Sequence, residues 1–286
     1  MLPPTIANRY RAIKELGRGA MGIVYEVEDT TSGEHLALKV MLHGDGRPDL
    51  VERFRREAQS SARIASENVV LITDSGLAPE IDNKPFMVME LLHGTHLGDH
   101  LARRGRFSVR EACELLRQAA NALDRAHAAG IVHRDLKPEN LFLHEPGNGR
   151  IVVKVLDFGV AAMLDDDMTP ITPTGEAVGT LQYMAPEQTK SMKRQIGPRA
   201  DVWAVGMIGF ELITGRKYWP ASPKPSELLM MIMNAPMIPP SEKCADVPPG
   251  FDEWFEGSCA RDPGARFPTV GDQITVLEVI MRKLRK

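Results

Sequence analysis

His133-Arg134-Asp135-Leu136-Lys137-Pro138-Glu139-Asn140 is the stretch on which the reading of this chain turns. Five ionisable groups stand in one loop, between a segment of helical periodicity and the apolar run 141–143. Holding that much charge beside buried elements is costly unless the charges do chemistry. Asp135 is suited to accept a proton from a hydroxyl, Lys137 to hold a transferring phosphoryl oxygen, and Asn140 to ligate Mg2+. Downstream, Asp157-Phe158-Gly159 closes a second apolar strand, 152–156, and brings a carboxylate beside Asn140. A carboxylate with an amide oxygen is a hard donor set. It suits Mg2+, which binds together with substrate phosphates rather than in a full protein cage.

Upstream of this loop the pattern is helical from about Leu92. Ser108-Val109-Arg110-Glu111 reads as a capping box. Ala112, Leu115, Leu116, Ala119 and Leu123 then mark one apolar face, and Gly130 fits the left-handed position just past the helix end. The first 90 residues read mostly as strands, at 10–16, 22–29, 35–41, 69–75 and 86–90, with one helix expected over 48–65. Gly17-Arg18-Gly19-Ala20-Met21-Gly22 lies between two of these strands. A dinucleotide-binding motif would run from strand into helix, and a P-loop would end in Gly-Lys-Ser/Thr, so neither fits. A glycine hairpin can instead lie over a nucleotide, its backbone N–H groups close to phosphates. Lys39 sits inside the apolar strand Leu36-Ala37-Leu38-Lys39-Val40-Met41, where an ammonium needs a counter-ion. Glu57 is the favoured partner and Glu52 the rival.

Downstream of Asp157, residues 201–214 read as another helix closed by Gly215, followed by further helices with proline-rich connections. Asp165-Asp166-Asp167 reads as a solvated acidic turn. The histidines at 35, 43, 93, 96, 100, 127 and 144 show no ligand spacing and read as structural. The 286 residues suffice for one large domain or two lobes around a cleft. Apolar content of 43 % and charged content of 26 % exclude a wholly disordered chain. A net charge of −3 argues against a mainly electrostatic nucleic-acid binder. Cys113, Cys244 and Cys259 are too far apart for a C-x-x-C site and too few for a disulfide framework, which favours a reducing compartment. No apolar run reaches the roughly 18–20 residues of a membrane span, and the first residues do not read as a signal peptide.

Taken with Leu16–Val24, Ala37–Lys39, Glu57, Gly179-Thr180, Tyr183-Met184-Ala185-Pro186-Glu187, the run 201–206 and Arg266, these motifs make nearly the whole chain resemble a protein kinase catalytic domain. The type is eukaryotic-like serine/threonine, and the runs 53–58 and 184–188 look bacterial. The resemblance implies an α+β, bilobal fold: a small antiparallel β-rich N-lobe at 1–92 and a larger, mainly helical C-lobe at 93–286. It implies ATP and Mg2+, with Mn2+ as an alternative ion, and protein substrates bearing Ser/Thr hydroxyls. Gly17, Gly19 and Gly22 would cover the phosphates. Lys39 would hold the α/β-phosphates and pair with Glu57. Leu16, Val24, Ala37 and Phe142 would sandwich the adenine, with Met89 behind it and the backbone of Glu90 and Leu92 at its edge. Asp135 would be the catalytic base, Lys137 would contact the γ-phosphate, and Asn140 and Asp157 would hold the metal. Glu187 would pair with Arg266, and Asp201 would hold the catalytic loop. Phe142 departs from the smaller aliphatic usual at its position.

Thr169, Thr172 and Thr174 are candidates for autophosphorylation through a transient homodimer, with Arg134 receiving the phosphate. No nucleic-acid partner is expected. The expected location is the cytoplasm, either free or as the cytosolic part of a membrane-anchored receptor. The basic end 282–286 would suit a juxtamembrane position. An inactive kinase-like binding module and a small-molecule phosphotransferase are the alternatives. The first would lack one of Lys39, Asp135, Asn140 or Asp157, and the second would lack the segment 179–187.

Overall fold

Six antiparallel strands form the sheet expected at the N-terminal end. In the computed structural model the described residues are 5–19, 22–41, 64–158, 181–189, 196–220 and 224–284. The sheet contains β1 (Thr5–Ile6), β2 (Tyr10–Arg18), β3 (Gly22–Asp29), β4 (His35–Met41), β5 (Ile72–Ala78) and β6 (Lys84–Glu90). Their order is β1-β2-β3-β4-β6-β5. Alternation along β3 turns Ile23, Tyr25 and Val27 into a core with Ile6, Tyr10, Leu38 and Val88. The glycine hairpin between β2 and β3 is closed by Gly19 N–H donating to the Gly22 carbonyl at 3.0 Å.

A second sheet, β7 (Gly94–His96), β8 (Leu141–His144) and β9 (Val152–Val155), lies under the first. Beyond it come seven helices among the described residues: α1 (Leu97–Arg104), α2 (Val109–Ala128), α3 (Arg199–Thr214), α4 (Pro225–Asn234), α5 (Pro240–Lys243), α6 (Phe251–Ser258) and α7 (Val270–Lys283). Helix α3 is the hub, buried on nearly every side, with Trp203, Val205, Ile208 and Phe210 all in the core. Two of its glycines exist for packing. A Cβ at Gly206 would stand 2.6 Å from Cys259 Sγ, and one at Gly209 would stand 2.5 Å from the Trp254 ring. The capping box of α2 is present, with Ser108 and Glu111 exchanging hydrogen bonds, and Gly130 follows the helix at φ +76°.

The expected strand at 69–75 is displaced to Ile72–Ala78. Val69 instead makes an isolated bridge to Val155 of β9, and Val70 N–H reaches the same carbonyl, so this pair joins the two sheets. The expected helix at 48–65 lies mostly outside the described residues, as does Glu57, and the described Ile64 and Ala65 are not helical. Strands β1 and β7 and helix α1 were not anticipated. No described helix is long and apolar enough to cross a membrane.

Candidate active site

A cavity of about 400 Å³ opens between the two sheets. Leu16, Gly17, Val24, Ala37 and Lys39 line it from above, Met89, Glu90 and Leu92 from behind, and Phe142 and Asp157 from below. Most of these side chains are apolar, and Lys39, Glu90 and Asp157 are the charged exceptions among them. The Glu90 carboxylate is drawn away from the cavity. Its Oε1 accepts from Lys154 Nζ at 2.6 Å and from Leu71 N–H at 2.7 Å. Phe142 sits on the floor as a half-buried ring.

Gly22 is needed for packing, since a Cβ there would lie 2.5 Å from the Val40 carbonyl oxygen. Gly17 and Gly19 are not. Nothing stands within 4 Å of the place where either Cβ would be. Their bareness keeps room over the hairpin rather than relieving a clash inside the protein.

At the inner end of the cavity Lys39 Nζ donates to Asp157 Oδ1 at 2.7 Å. Burial pushes the Asp157 carboxyl up, but the adjoining Lys39 ammonium, with His133 and Lys137 nearby, outweighs it and holds the group below the usual carboxylate range. Lys137 Nζ donates to Asp135 Oδ2 at 3.1 Å. Asn140 Nδ2 donates to the Asp135 carbonyl at 2.7 Å and to Asp135 Oδ2 at 3.3 Å. The amide nitrogen is thus committed to Asp135, leaving Asn140 Oδ1 as the free donor atom toward a cation. Leu156 N–H donates to the Asn140 carbonyl at 2.9 Å, which fixes the strand carrying Asp157 against the turn carrying Asn140.

The loop itself is pinned from α3. Asp201 Oδ2 accepts from His133 N–H at 2.9 Å, and Oδ1 accepts from Arg134 N–H at 2.9 Å. His127 Nε2 lies 2.7 Å from Oδ2. Burial pushes this carboxyl up as well, yet the contact with His127 and the proximity of His133 leave it lowered. Arg134 and Asp157 both occupy the left-handed region, at φ +66° and +54°, a conformation non-glycine residues hold only when the surroundings impose it. Phe158 is buried edge-on against His133, the ring centroids 5.0 Å apart. Further out, Arg266 makes a two-pronged pair with Glu187, both contacts 2.7 Å.

The structure therefore brings together Lys39, Asp135, Lys137, Asn140 and Asp157, and it lines one cavity with Leu16, Gly17, Val24, Ala37, Met89, Glu90, Leu92 and Phe142. Gly19 and Gly22 shape the hairpin above without lining the cavity. Glu57, Gly159, Gly179, Thr180, Thr169, Thr172, Thr174 and the acidic turn 165–167 lie outside the described residues. Sequence reasoning missed Thr95, His96 and Asp99 on the rim, and Val69, Val70, Ile72, Met87 and Leu156 deeper in. No motif announces these. Thr95 and His96 are brought to the cavity by β7, and Val69 and Val70 by their contacts with Val155 of β9.

The family model for the protein kinase domain matches residues 10–270. The chain is 38 % identical over 277 residues to the serine/threonine-protein kinase Pkn1 of Myxococcus xanthus, covering 95 % of this chain and 38 % of that protein. It is 34 % identical over 271 residues to the serine/threonine-protein kinase PknA of Mycobacterium tuberculosis, covering 93 % and 60 %. Among solved structures, the kinase domain of Mycobacterium tuberculosis PknI superposes with a TM-score of 0.72 at 25 % identity, covering 96 % of this chain and 97 % of that one. The chain belongs to the protein kinase domain family, as a eukaryotic-like serine/threonine kinase domain of bacterial type. It spans between 38 % and 60 % of the length of the two curated relatives.

Proposed function

We propose that this chain transfers the γ-phosphoryl group of ATP to Ser and Thr hydroxyls of proteins, its own activation segment included, with the residue roles that follow. The observation that carries the reading is the pairing of Lys39 with Asp157 in the cavity wall, with Asp135 and Asn140 bonded to each other and Asn140 tied through its carbonyl to Leu156, the residue before Asp157. The cavity fits an adenine nucleotide. Its walls are apolar where a purine would lie, its back wall offers main chain, and the bare glycines leave space where phosphates would pass. Asp157 and Asn140 Oδ1 fit Mg2+, or Mn2+ in its place. Among the described residues no three His, Cys, Asp or Glu side chains gather as a metal cage, so the remaining ligands would be phosphate oxygens and water. When bound, the cation neutralises phosphate charge.

The chain's own groups then divide the work. Lys39 exchanges its contact with Asp157 for the α/β-phosphates, where its positive charge counts most in a site closed to water. Leu16, Val24, Ala37 and Phe142 hold the purine by burial, with Met89 behind and the main chain of Glu90 and Leu92 at its edge. Asp135, aimed by the Asn140 amide and the pinned loop, orients the hydroxyl and takes its proton as the oxygen–phosphorus bond forms and ADP departs. Lys137, already 3.1 Å from Asp135, opposes the charge of the moving phosphoryl group. Arg134 would receive a phosphate on Thr169, Thr172 or Thr174 by charge-assisted hydrogen bonds, the phosphate delivered within a transient pair of copies. The site of action is proposed as the cytoplasm, free or as the cytosolic part of a longer, membrane-anchored protein.

Radiolabelled ATP with a generic basic protein tests the reading. The wild-type chain should label both itself and the acceptor. Asp135→Asn should lower the rate by ~10²–10⁴-fold, the span of a positioned acid–base group. Equal labelling by the two proteins would remove Asp135 from its role.

A further inference from the structure

Gln188 sits half-buried in the turn Pro186–Thr189, where it lines a small cavity of about 10 Å³ with Arg134, Asp135 and Asp201. Its side-chain amide bonds in two senses at once. Nε2 donates to the Arg134 carbonyl at 2.6 Å, and Oε1 accepts from Ala185 N–H at 3.0 Å. These partners fix which end of the amide is which, since a carbonyl only accepts and an N–H only donates. The Gln188 main chain is held as well, its N–H donating to the Ala185 carbonyl at 2.9 Å. The amide is therefore a strut between the segment 181–189 and the loop 133–140.

The Arg134 carbonyl belongs to the peptide group that leads into Asp135. The other end of that group, Asp135 N–H, donates to His133 Nδ1 at 3.3 Å. His133 Nε2 lies 2.8 Å from the Leu156 carbonyl, so Nε2 carries the ring proton and Nδ1 is the acceptor. One peptide plane is thus gripped at both ends. Arg134 itself stands at φ +66°, with its own N–H on Asp201 Oδ1 at 2.9 Å. A non-glycine residue keeps that conformation only while its surroundings impose it. Removing the Gln188 donor releases the carbonyl end of the plane, and the Asp135 Cα rides on that plane. We infer that Gln188 is a positioning residue, which sets the peptide plane from which the Asp135 carboxylate is aimed at the substrate hydroxyl. Neither a carboxylate nor a hydrocarbon side chain can both donate to residue 134 and accept from residue 185. The inference rests on the reading of Asp135 as the group that takes the hydroxyl proton.

The test measures kcat and KM for ATP, with radiolabelled ATP and a generic basic protein, for the full chain carrying Gln188→Glu or Gln188→Met. Each is made with Asp135 intact and with Asp135→Asn. With Asp135 intact, both should lower kcat by roughly ten- to a hundredfold, the scale of a small misplacement of a reacting group. KM for ATP should not move, because Gln188 does not line the large cavity. A carboxyl held against a carbonyl oxygen takes up a proton above its ordinary range and can then donate. The rate of Gln188→Glu relative to wild type should therefore climb as pH falls from about 8 to about 6, and that of Gln188→Met should not. Beside Asp135→Asn, either change should cost little more, since its effect passes through the missing carboxylate. A wild-type kcat in either variant, a Gln188→Glu ratio flat with pH, or an equal loss with and without Asp135 overturns the inference and leaves the role of Asp135 standing. No labelling by wild type, or Asp135→Asn as active as wild type, overturns the reading of Asp135 and this inference with it.

Discussion

Asp201 shows how a single carboxylate shapes chemistry it never touches. Its Oδ2 and Oδ1 take up the main-chain N–H groups of His133 and Arg134 respectively, and Oδ2 also meets His127. Those bonds hold Arg134 at a positive φ and so decide where Asp135 points. An amide at this position has one acceptor oxygen and turns a donor toward a donor. Asp201→Asn should therefore cost about 1–3 kcal/mol, the toll of a buried polar group left unpaired, and should lower kcat more than it raises KM for ATP. The acid side of the stability profile gives an independent readout. The Asp201 carboxyl titrates lower in the folded chain than its ordinary value. Its contribution is accordingly complete above the ordinary carboxylate range, and it drains away as pH falls toward the lowered folded value. The gap in Tm between wild type and Asp201→Asn should be widest near neutrality and should shrink below about pH 4. A gap independent of pH across that range would contradict the assignment.

At the level of elements, α2 is the helix most fully specified by its own sequence. Ser108 Oγ accepts from Glu111 N–H, while Glu111 Oε2 accepts from Ser108 N–H and Oγ. Those Ser108 bonds, with Arg104 adjoining, pull the Glu111 carboxyl down to about 2. Ser108→Ala should cost about 1 kcal/mol in urea unfolding with an unchanged m-value, because the loss is local to the cap. A variant as stable as wild type would mean that the box is ornamental. The same helix explains what was legible in the chain: caps, alternation and glycine stops are local signals, and they located α2, α3, β3 and β4. The charged string 133–140 was legible for a related reason, since its ionisable groups lie within eight neighbouring positions. Local signals failed where an element exists only through its neighbours. Gly94-Thr95-His96 has no alternation to read, yet β8 pairs with it and makes it β7. Gly94 at φ +133° approaches Leu143 so closely that a Cβ would stand 2.0 Å from its carbonyl oxygen. Val69 and Val70 read as strand residues and instead cross to β9. His96 read as structural for the same reason, because membership of the cavity rim is a property of the folded sheet pair.

Over the whole molecule, one cation ties several parts of the helical body together. The Arg266 side chain is fully buried. It donates to both oxygens of Glu187 at 2.7 Å, to the Ala260 carbonyl at 2.7 Å and to the Arg199 carbonyl at 2.7 Å, and it lies over the Trp203 ring at 5.0 Å. Glu187 begins only two residues beyond Ala185, whose N–H is held by Gln188 Oε1, and Gln188 Nε2 donates in turn to the Arg134 carbonyl. A chain of contacts therefore runs from α3 and the loop before α7 through Arg266, Glu187 and Gln188 to residue 134 in the loop 133–140. Deleting the guanidinium strands a mostly buried carboxylate and frees two carbonyls at once. Arg266→Ala should cost about 3–5 kcal/mol, the range for breaking a buried pair from one side. In a chain of this size that lowers Tm by roughly 10 °C. Arg266→Lys keeps the charge but loses the fork, so it should recover only part of the loss. Differential scanning calorimetry of the three proteins settles the point. A Lys variant matching wild type would reduce the contact to simple charge pairing. An Ala variant within two or so degrees of wild type would show that the body holds residue 134 by other means, with Asp201 acting alone.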